Sequence, residues 1–149
     1  MEAVIFAGIQ GSGKSTFFKE RFFNSHIRIN LDMLRTKNRE SLILEACLEA
    51  KQKFVIDKTN LTREDRGKYL VQAKNYGFKV IGYYFQTNLE KALGRNNQRT
   101  GKAKIPDKGL FSSFKRLQIP KLEEGFDELF YVLINAENQF VVEDWKDEV

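Results

Sequence analysis

Gly8-Ile9-Gln10-Gly11-Ser12-Gly13-Lys14-Ser15 follows the apolar run Ala3–Ala7, and the rest of the chain reads outward from it. Its spacing, a glycine, four residues and then Gly-Lys-Ser, is that of a phosphate-binding P-loop. Each residue type has a physical reason. Glycines let the backbone turn tightly and aim several N–H groups into an anion-sized nest. The helix expected from Ser15 to Phe23 adds the positive end of its dipole. Lys14 is a mobile cation for the β- and γ-phosphates of a nucleotide, and the Ser15 hydroxyl suits Mg2+. Gly8, Gly11, Ser12, Gly13, Lys14, Ser15 and Thr16 are therefore the candidate nucleotide contacts. The motif requires a strand before it and a helix after it, and both are predicted.

Beyond the loop, strands and helices alternate. His26–Asn30 reads as a strand. Leu42, Ile43, Ala46, Cys47 and Ala50 recur at helical spacing, and Phe54–Ile56 is a short apolar strand ending at Asp57. Thr62 with Asp65 opens the next helix and Gly77 closes it, with Tyr69, Leu70, Ala73 and Tyr76 on its apolar face. Phe78–Phe85 is the next strand, and Thr87 with Glu90 is a capping-box pattern for a helix reaching Asn97. Pro106 begins a helix expected to bury Leu110, Phe111, Phe114 and Leu117 together, and Leu129–Ile134 and Phe140–Val142 are late strands. This order predicts an α/β chain with a mostly parallel sheet flanked by helices on both faces. With no repeat or linker-like stretch, residues 1–149 are expected to form a single domain, of a length that buries a core without staples.

Hydrophobic residues at 42% and charged residues at 30% are ordinary for a globular chain, and no apolar run approaches the length of a bilayer span. The N-terminus is too short and too acidic for a secretory signal, so a cytoplasmic location is expected. The lone Cys47 agrees and reads as a buried thiol. His26, the one histidine, has no second histidine for a metal site and receives no role. The net charge of +5 is unevenly distributed. Nine Lys/Arg and the single acid Asp107 fall between Lys91 and Lys121, which leaves the remainder net acidic. A charged run can be a solvated helix face, but such concentration in one segment points to a surface for phosphates.

A P-loop specifies a nucleotide and leaves its use open. In Ile29-Asn30-Leu31-Asp32-Met33-Leu34-Arg35 a strand ends and a helix begins, at the strand end where α/β sheets gather ligands. Asp32 and Arg35 are three apart and would share one face of a helical turn. A carboxylate there can take the proton of an attacking hydroxyl beside an arginine that holds an anionic acceptor. A helix-capping Asp with a surface Arg is an equally good account of the spacing. Asp57 suits a Mg2+ contact of the Walker B kind. Thr59 and Asn60 after it either hydrogen-bond the acceptor or shape a turn.

At these residues the chain resembles the kinase domain of polynucleotide 5′-hydroxyl kinases, both the phage end-healing enzyme and the kinase half of the animal kinase–phosphatase. The resemblance runs from about Val4 to Val132. It is carried by Gly8–Thr16, Ile29–Arg35, Ile56-Asp57-Lys58-Thr59-Asn60-Leu61 with Asp65-Arg66, Arg95-Asn96-Asn97-Gln98-Arg99 with Lys102 and Pro106, and Leu122–Phe126. The motifs are shared in part with bacterial AAA-type ATP-binding proteins. The resemblance implies a P-loop kinase fold with a basic helical lid at about residues 95–106, and an ATP- and Mg2+-dependent phosphotransferase. Asp32 would be the general base for a 5′-hydroxyl, while Arg35, aided by Thr59, would hold the neighbouring phosphate. Asp57 would organise Mg2+ with Ser15. Arg99, with Arg95, would close over ATP and act with Lys14 on the transferring phosphoryl group. The expected acceptor is thus a nucleic acid with a 5′-hydroxyl end. The alternatives are a small nucleoside, sugar or antibiotic hydroxyl, or a nucleotide-binding module without catalysis.

Overall fold

Glu2–Ala7 forms strand β1 near the middle of the sheet, and its alternating side chains enter two different cores. The structure is a computed structural model that describes residues 1–86, 90, 93–94, 98 and 107–145. After β1 come helix α1 (Lys14–Arg21), strand β2 (Ile27–Ile29), the one-turn helix α2 (Leu31–Leu34), α3 (Lys37–Ala50), β3 (Phe54–Ile56), α4 (Arg63–Asn75) and β4 (Lys79–Phe85). Helix α5 (Asp107–Arg116), a 3-10 turn (Leu122–Glu124), β5 (Glu128–Ile134) and β6 (Phe140–Asp144) complete the described chain. The strands stand in the order β2-β3-β1-β4-β5-β6; every pairing is parallel except that of β6 with β5. The mostly parallel α/β sheet expected from the sequence is what forms.

Ala3 and Ile5 face a core shared with α3 and α4, including Leu44, Leu48, Tyr69 and Leu70. Val4 and Phe6 face Phe17, Phe18 and Phe22 on the other side. Phe6 meets Phe85 edge-on at 4.9 Å, and Phe17 meets Phe85 at 5.3 Å and Phe140 at 5.1 Å. Each such pair contributes about 0.5–1.5 kcal/mol beyond its burial. These rings fix α1 against the sheet, and with it the loop that precedes α1.

Two expected helix faces are corrected. In α3 the buried residues are Glu40, Leu44, Cys47 and Leu48, while Leu42, Ile43, Ala46 and Ala50 lie outside. The inward stripe can include Glu40 because Lys58 and Tyr69 supply its hydrogen bonds. In α5 the buried stripe is Leu110 and Ser113, continued by Leu117 against Ile9 and Leu61. Phe111 and Phe114, expected in the core, are each 45% exposed. The stripe runs through Ser113 instead, and the two rings fall on the flank beyond Leu110. Tyr76, placed on the α4 face, caps that helix at the surface. Trp145 stacks on Tyr131 at 4.6 Å, so the chain after β6 packs as far as that residue. The capping residue Thr87, residues 95–97 and 99–106 with Arg95, Arg99, Lys102 and Pro106, and residues 146–149 lie outside the described residues. No helix among the described residues is long and apolar enough to cross a membrane.

Candidate functional site

Because β1, β2 and β3 run parallel, their carboxyl ends bring the P-loop, Asp32 and Asp57 to one edge of the sheet. The loop leaves β1 at Gly8, whose N–H donates to the Thr59 carbonyl at 2.9 Å. A Cβ at Gly8 would lie 2.9 Å from the Phe85 Cβ, so only glycine permits this approach. Gly13 caps α1 with φ 96°, a left-handed backbone that also favours glycine. Lys14 is buried, and its Nζ donates to the carbonyls of Gly8 at 2.9 Å and Ile9 at 2.8 Å and to Ser12 Oγ at 3.3 Å. The ammonium thus lies within the loop it is expected to serve. Ser15 and Thr16 open α1 and are exposed.

Ser15 and Asp57 do meet: Ser15 Oγ donates to Asp57 Oδ2 at 3.4 Å. Both offer hard oxygen donors, which fits Mg2+, an ion commonly held by one or two carboxylates together with phosphate oxygens. Arg28, which the sequence reading passed over, lies across this pair. Its Nε donates to Asp57 Oδ2 at 2.8 Å and its Nη2 to Ser15 Oγ at 2.9 Å. The signal was a lone charge between Ile27 and Ile29 in a strand otherwise apolar.

Asp32 is exposed in α2. The cap of that helix is Asn30, whose Oδ1 accepts from Met33 N–H at 2.9 Å, so Asp32 is not needed as a cap. Asn30 also reaches the Asp57 carbonyl at 2.8 Å, which ties the turn that carries Asp32 to the end of β3. The helix stops at Leu34, and Arg35 takes φ 76° at its C-terminal cap. Arg35 therefore does not continue the helical turn with Asp32, contrary to the spacing argument; both are exposed and no ion pair joins them. A one-turn helix cannot present a full i, i+3 face once its fifth residue leaves helical backbone.

Asn60 shapes the turn after β3. Only 4% exposed, with φ 43°, it donates through Nδ2 to the Phe6 carbonyl at 2.7 Å. Its side chain is a strut between β1 and the turn after β3, which is the turn-shaping one of its two expected roles. Thr59 is half-buried beside it and supports the P-loop through its carbonyl. Lys58 turns away to Glu40 at 3.3 Å and to the Tyr69 hydroxyl at 2.8 Å. Burial, reinforced by the hydrogen bond to Glu40, pushes the Tyr69 phenol far above its ordinary range and keeps it protonated. Arg95 and Arg99 lie outside the described residues.

The chain resembles known proteins over most of its length. It is 33% identical over 133 residues to a bifunctional polynucleotide phosphatase/kinase of Schizosaccharomyces pombe, a match covering 84% of this chain and 32% of that protein. The chain thus spans about a third of the length of this curated relative. Among solved structures, a gluconokinase from Sinorhizobium meliloti superposes with a TM-score of 0.63 at 20% identity, covering 92% of this chain and 86% of that one. Chaetomium thermophilum Kti12 in complex with ADP-AlF3 superposes with a TM-score of 0.63 at 17% identity, covering 91% and 92%. These two likenesses establish a common P-loop kinase-type fold. The family model described as AAA domain matches residues 4–118, and with the P-loop at Gly8–Ser15 inside that span the chain belongs to the AAA-domain family.

Proposed function

We propose that the chain is an ATP-dependent phosphotransferase that moves the γ-phosphoryl group of ATP to the 5′-hydroxyl of a polynucleotide. The observation that carries the polymer reading is the outer face of α5. Phe111 and Phe114 stand 45% exposed there, and the basic Lys108 and Lys115 are three and four residues from Phe111 on the same helix. Exposed rings interleaved with cations are the surface that single-stranded nucleic acid uses, because every base has a face to stack and every nucleotide a phosphate. Leu117 packs on Ile9 of the P-loop, so the end of α5 lies beside the nucleotide site. The identity to the yeast phosphatase/kinase supports the same acceptor.

The residues divide the work by position. The glycine nest and the N-terminal end of α1 receive the phosphates, and Lys14 turns from the loop carbonyls toward the β- and γ-oxygens. Asp32 accepts the proton of the attacking hydroxyl as its oxygen bonds to the γ-phosphorus and the β–γ bridging bond breaks to release ADP. Arg35, with Thr59, holds the acceptor phosphate, and Arg95 and Arg99 cover ATP. Ser15 and Asp57 would hold Mg2+, which when bound supplies positive charge to the phosphate oxygens.

Incubation with γ-labelled ATP, Mg2+ and a 5′-hydroxyl oligonucleotide tests this directly. Label is expected on the oligonucleotide and not on one already bearing a 5′-phosphate. Transfer only to small hydroxyl acceptors, or no transfer by protein that binds ATP, would sink the polymer reading.

A further inference from the structure

Asp57 is 1% exposed, and a carboxylate so buried needs a cation or several hydrogen bonds to stay charged. Its ion-pair partner among the described residues is Arg28. The guanidinium uses two nitrogens, on Asp57 Oδ2 at 2.8 Å and on Ser15 Oγ at 2.9 Å, so it engages the same two oxygens that suit a divalent ion. Two cations cannot share this small donor set without strong repulsion. We propose that Arg28 is a tethered competitor for the divalent cation: it holds the Ser15–Asp57 pair closed until a metal ion displaces it.

The surroundings give the arginine somewhere to go. Its side chain is 26% exposed, so it borders solvent, whereas Asp57 is sealed. Its guanidinium carbon already lies 5.9 Å from the centre of the Phe18 ring, so the group can shift off the two oxygens toward solvent and keep that contact. The carboxylate cannot follow: Asp57 comes directly after β3, and its N–H donates to the Ile29 carbonyl at 2.9 Å while its carbonyl accepts from Asn30. Arg28 is the movable partner and Asp57 the fixed one. A site populated mostly in the arginine-closed form binds metal more weakly by the fraction that is open. A nucleotide tips the balance, because its phosphates bring negative charge for both cations. The closed pair therefore disfavours metal in the empty P-loop and yields when metal arrives with nucleotide.

This inference rests on the nucleotide- and Mg2+-dependent reading of the site, and one part of its test is independent of nucleotide. Mn2+ binding to the nucleotide-free chain, followed by electron paramagnetic resonance, is expected to tighten at least about tenfold in Arg28→Ala and Arg28→Gln, given the strength of charged hydrogen bonds. Adding Asp57→Asn to either variant should remove the gain. Equal or weaker Mn2+ binding in the folded variants overturns the proposal. Should both variants fail to fold, the wild-type chain decides: the Arg28 Nε–H resonance is expected to shift when Mg2+ is added to ATP-saturated protein, and an unmoved resonance overturns the proposal. A fluorescent ATP analogue that binds at no Mg2+ concentration defeats the nucleotide reading alone. An analogue that binds with one metal dependence in wild type and in both folded Arg28 variants defeats the competitor alone.

Discussion

Arg66 and Glu124 face each other through two parallel hydrogen bonds, Nε to Oε1 and Nη2 to Oε2, both 2.9 Å long. Arg66 is fully buried on α4, and its remaining Nη1 donates to the carbonyls of Asn60 at 2.8 Å and Leu61 at 3.2 Å. One guanidinium thus ties α4, the turn after β3 and the 3-10 turn before β5. The Thr59 carbonyl that receives the Gly8 N–H lies immediately before that turn. A side chain remote from the phosphates thereby supports the backbone that cradles them.

Arg66→Ala leaves Glu124 buried without its partner and frees two carbonyls. A loss of about 3–5 kcal/mol is expected, read as a lower urea midpoint. Replacing both residues with apolar side chains, Arg66→Met with Glu124→Leu, should recover much of that loss, because the uncompensated charge disappears. A double variant as unstable as Arg66→Ala would show that the carbonyl bonds, and not the ion pair, carry the effect.

Lys14→Ala and Asp32→Asn should separate the donor and acceptor halves of the site. Lys14→Ala is expected to abolish ATP turnover while unfolding stays cooperative. Asp32→Asn should lower kcat by at least about a hundredfold, the range of general-base catalysis, with nucleotide affinity unchanged. Equilibrium binding of a fluorescent ATP analogue, measured beside turnover, distinguishes the two. Full turnover in Asp32→Asn would leave the hydroxyl without its base.

The donor half of the site was legible because backbone chemistry forced it. A loop that must offer its N–H groups to phosphate needs Gly8 where a Cβ would strike Phe85, and Gly13 where φ is 96°. Strand alternation likewise put Asp32 and Asp57 at one sheet edge. Other features turn on contacts between distant segments, to which local spacing is blind. Asn60 points inward because the end of β1 offers it a carbonyl, and Glu40 is buried because Lys58 and Tyr69 come from elsewhere. Periodicity could not choose between neighbouring stripes of α3 or α5, since both contain enough apolar residues to satisfy a helical repeat. Arg28 stood out only as a charge in an apolar strand, and its role was hidden for the same reason: its partners lie 13 and 29 residues away.

Phe111 and Phe114 supply a test of the polymer surface that spares the P-loop. Stacking one base contributes about 1–3 kcal/mol, so Phe111→Ala with Phe114→Ala should weaken binding of a 5′-hydroxyl oligonucleotide about tenfold or more. Lys108→Gln with Lys115→Gln should instead flatten the dependence of binding on salt, by about two units of logarithmic slope at most. ATP affinity should not change in either variant. If the aromatic double variant binds oligonucleotide as wild type does, α5 is not the platform.

His26 gives the chain an expected acid sensitivity. Its Nε2 pairs with Glu2 Oε1 at 2.8 Å and its Nδ1 with Ser25 Oγ at 2.6 Å, an arrangement in which a neutral ring donates to the carboxylate and accepts from the hydroxyl. Burial lowers its pKa below the ordinary value and outweighs the opposing pull of Glu2, while Lys53 nearby also lowers it. The unfolded chain therefore binds a proton more readily than the folded one. The stability that follows from this difference is fully present above about pH 6.5 and is lost as the pH falls through that value toward the folded pKa. His26→Gln keeps a donor and an acceptor but cannot titrate. Wild type should be the more stable above that pH, and its advantage should shrink as acid is added. Urea midpoints of the two proteins, compared at matched pH, cancel the carboxylates they share. A difference that stays constant through the window would mean that His26 does not titrate on unfolding.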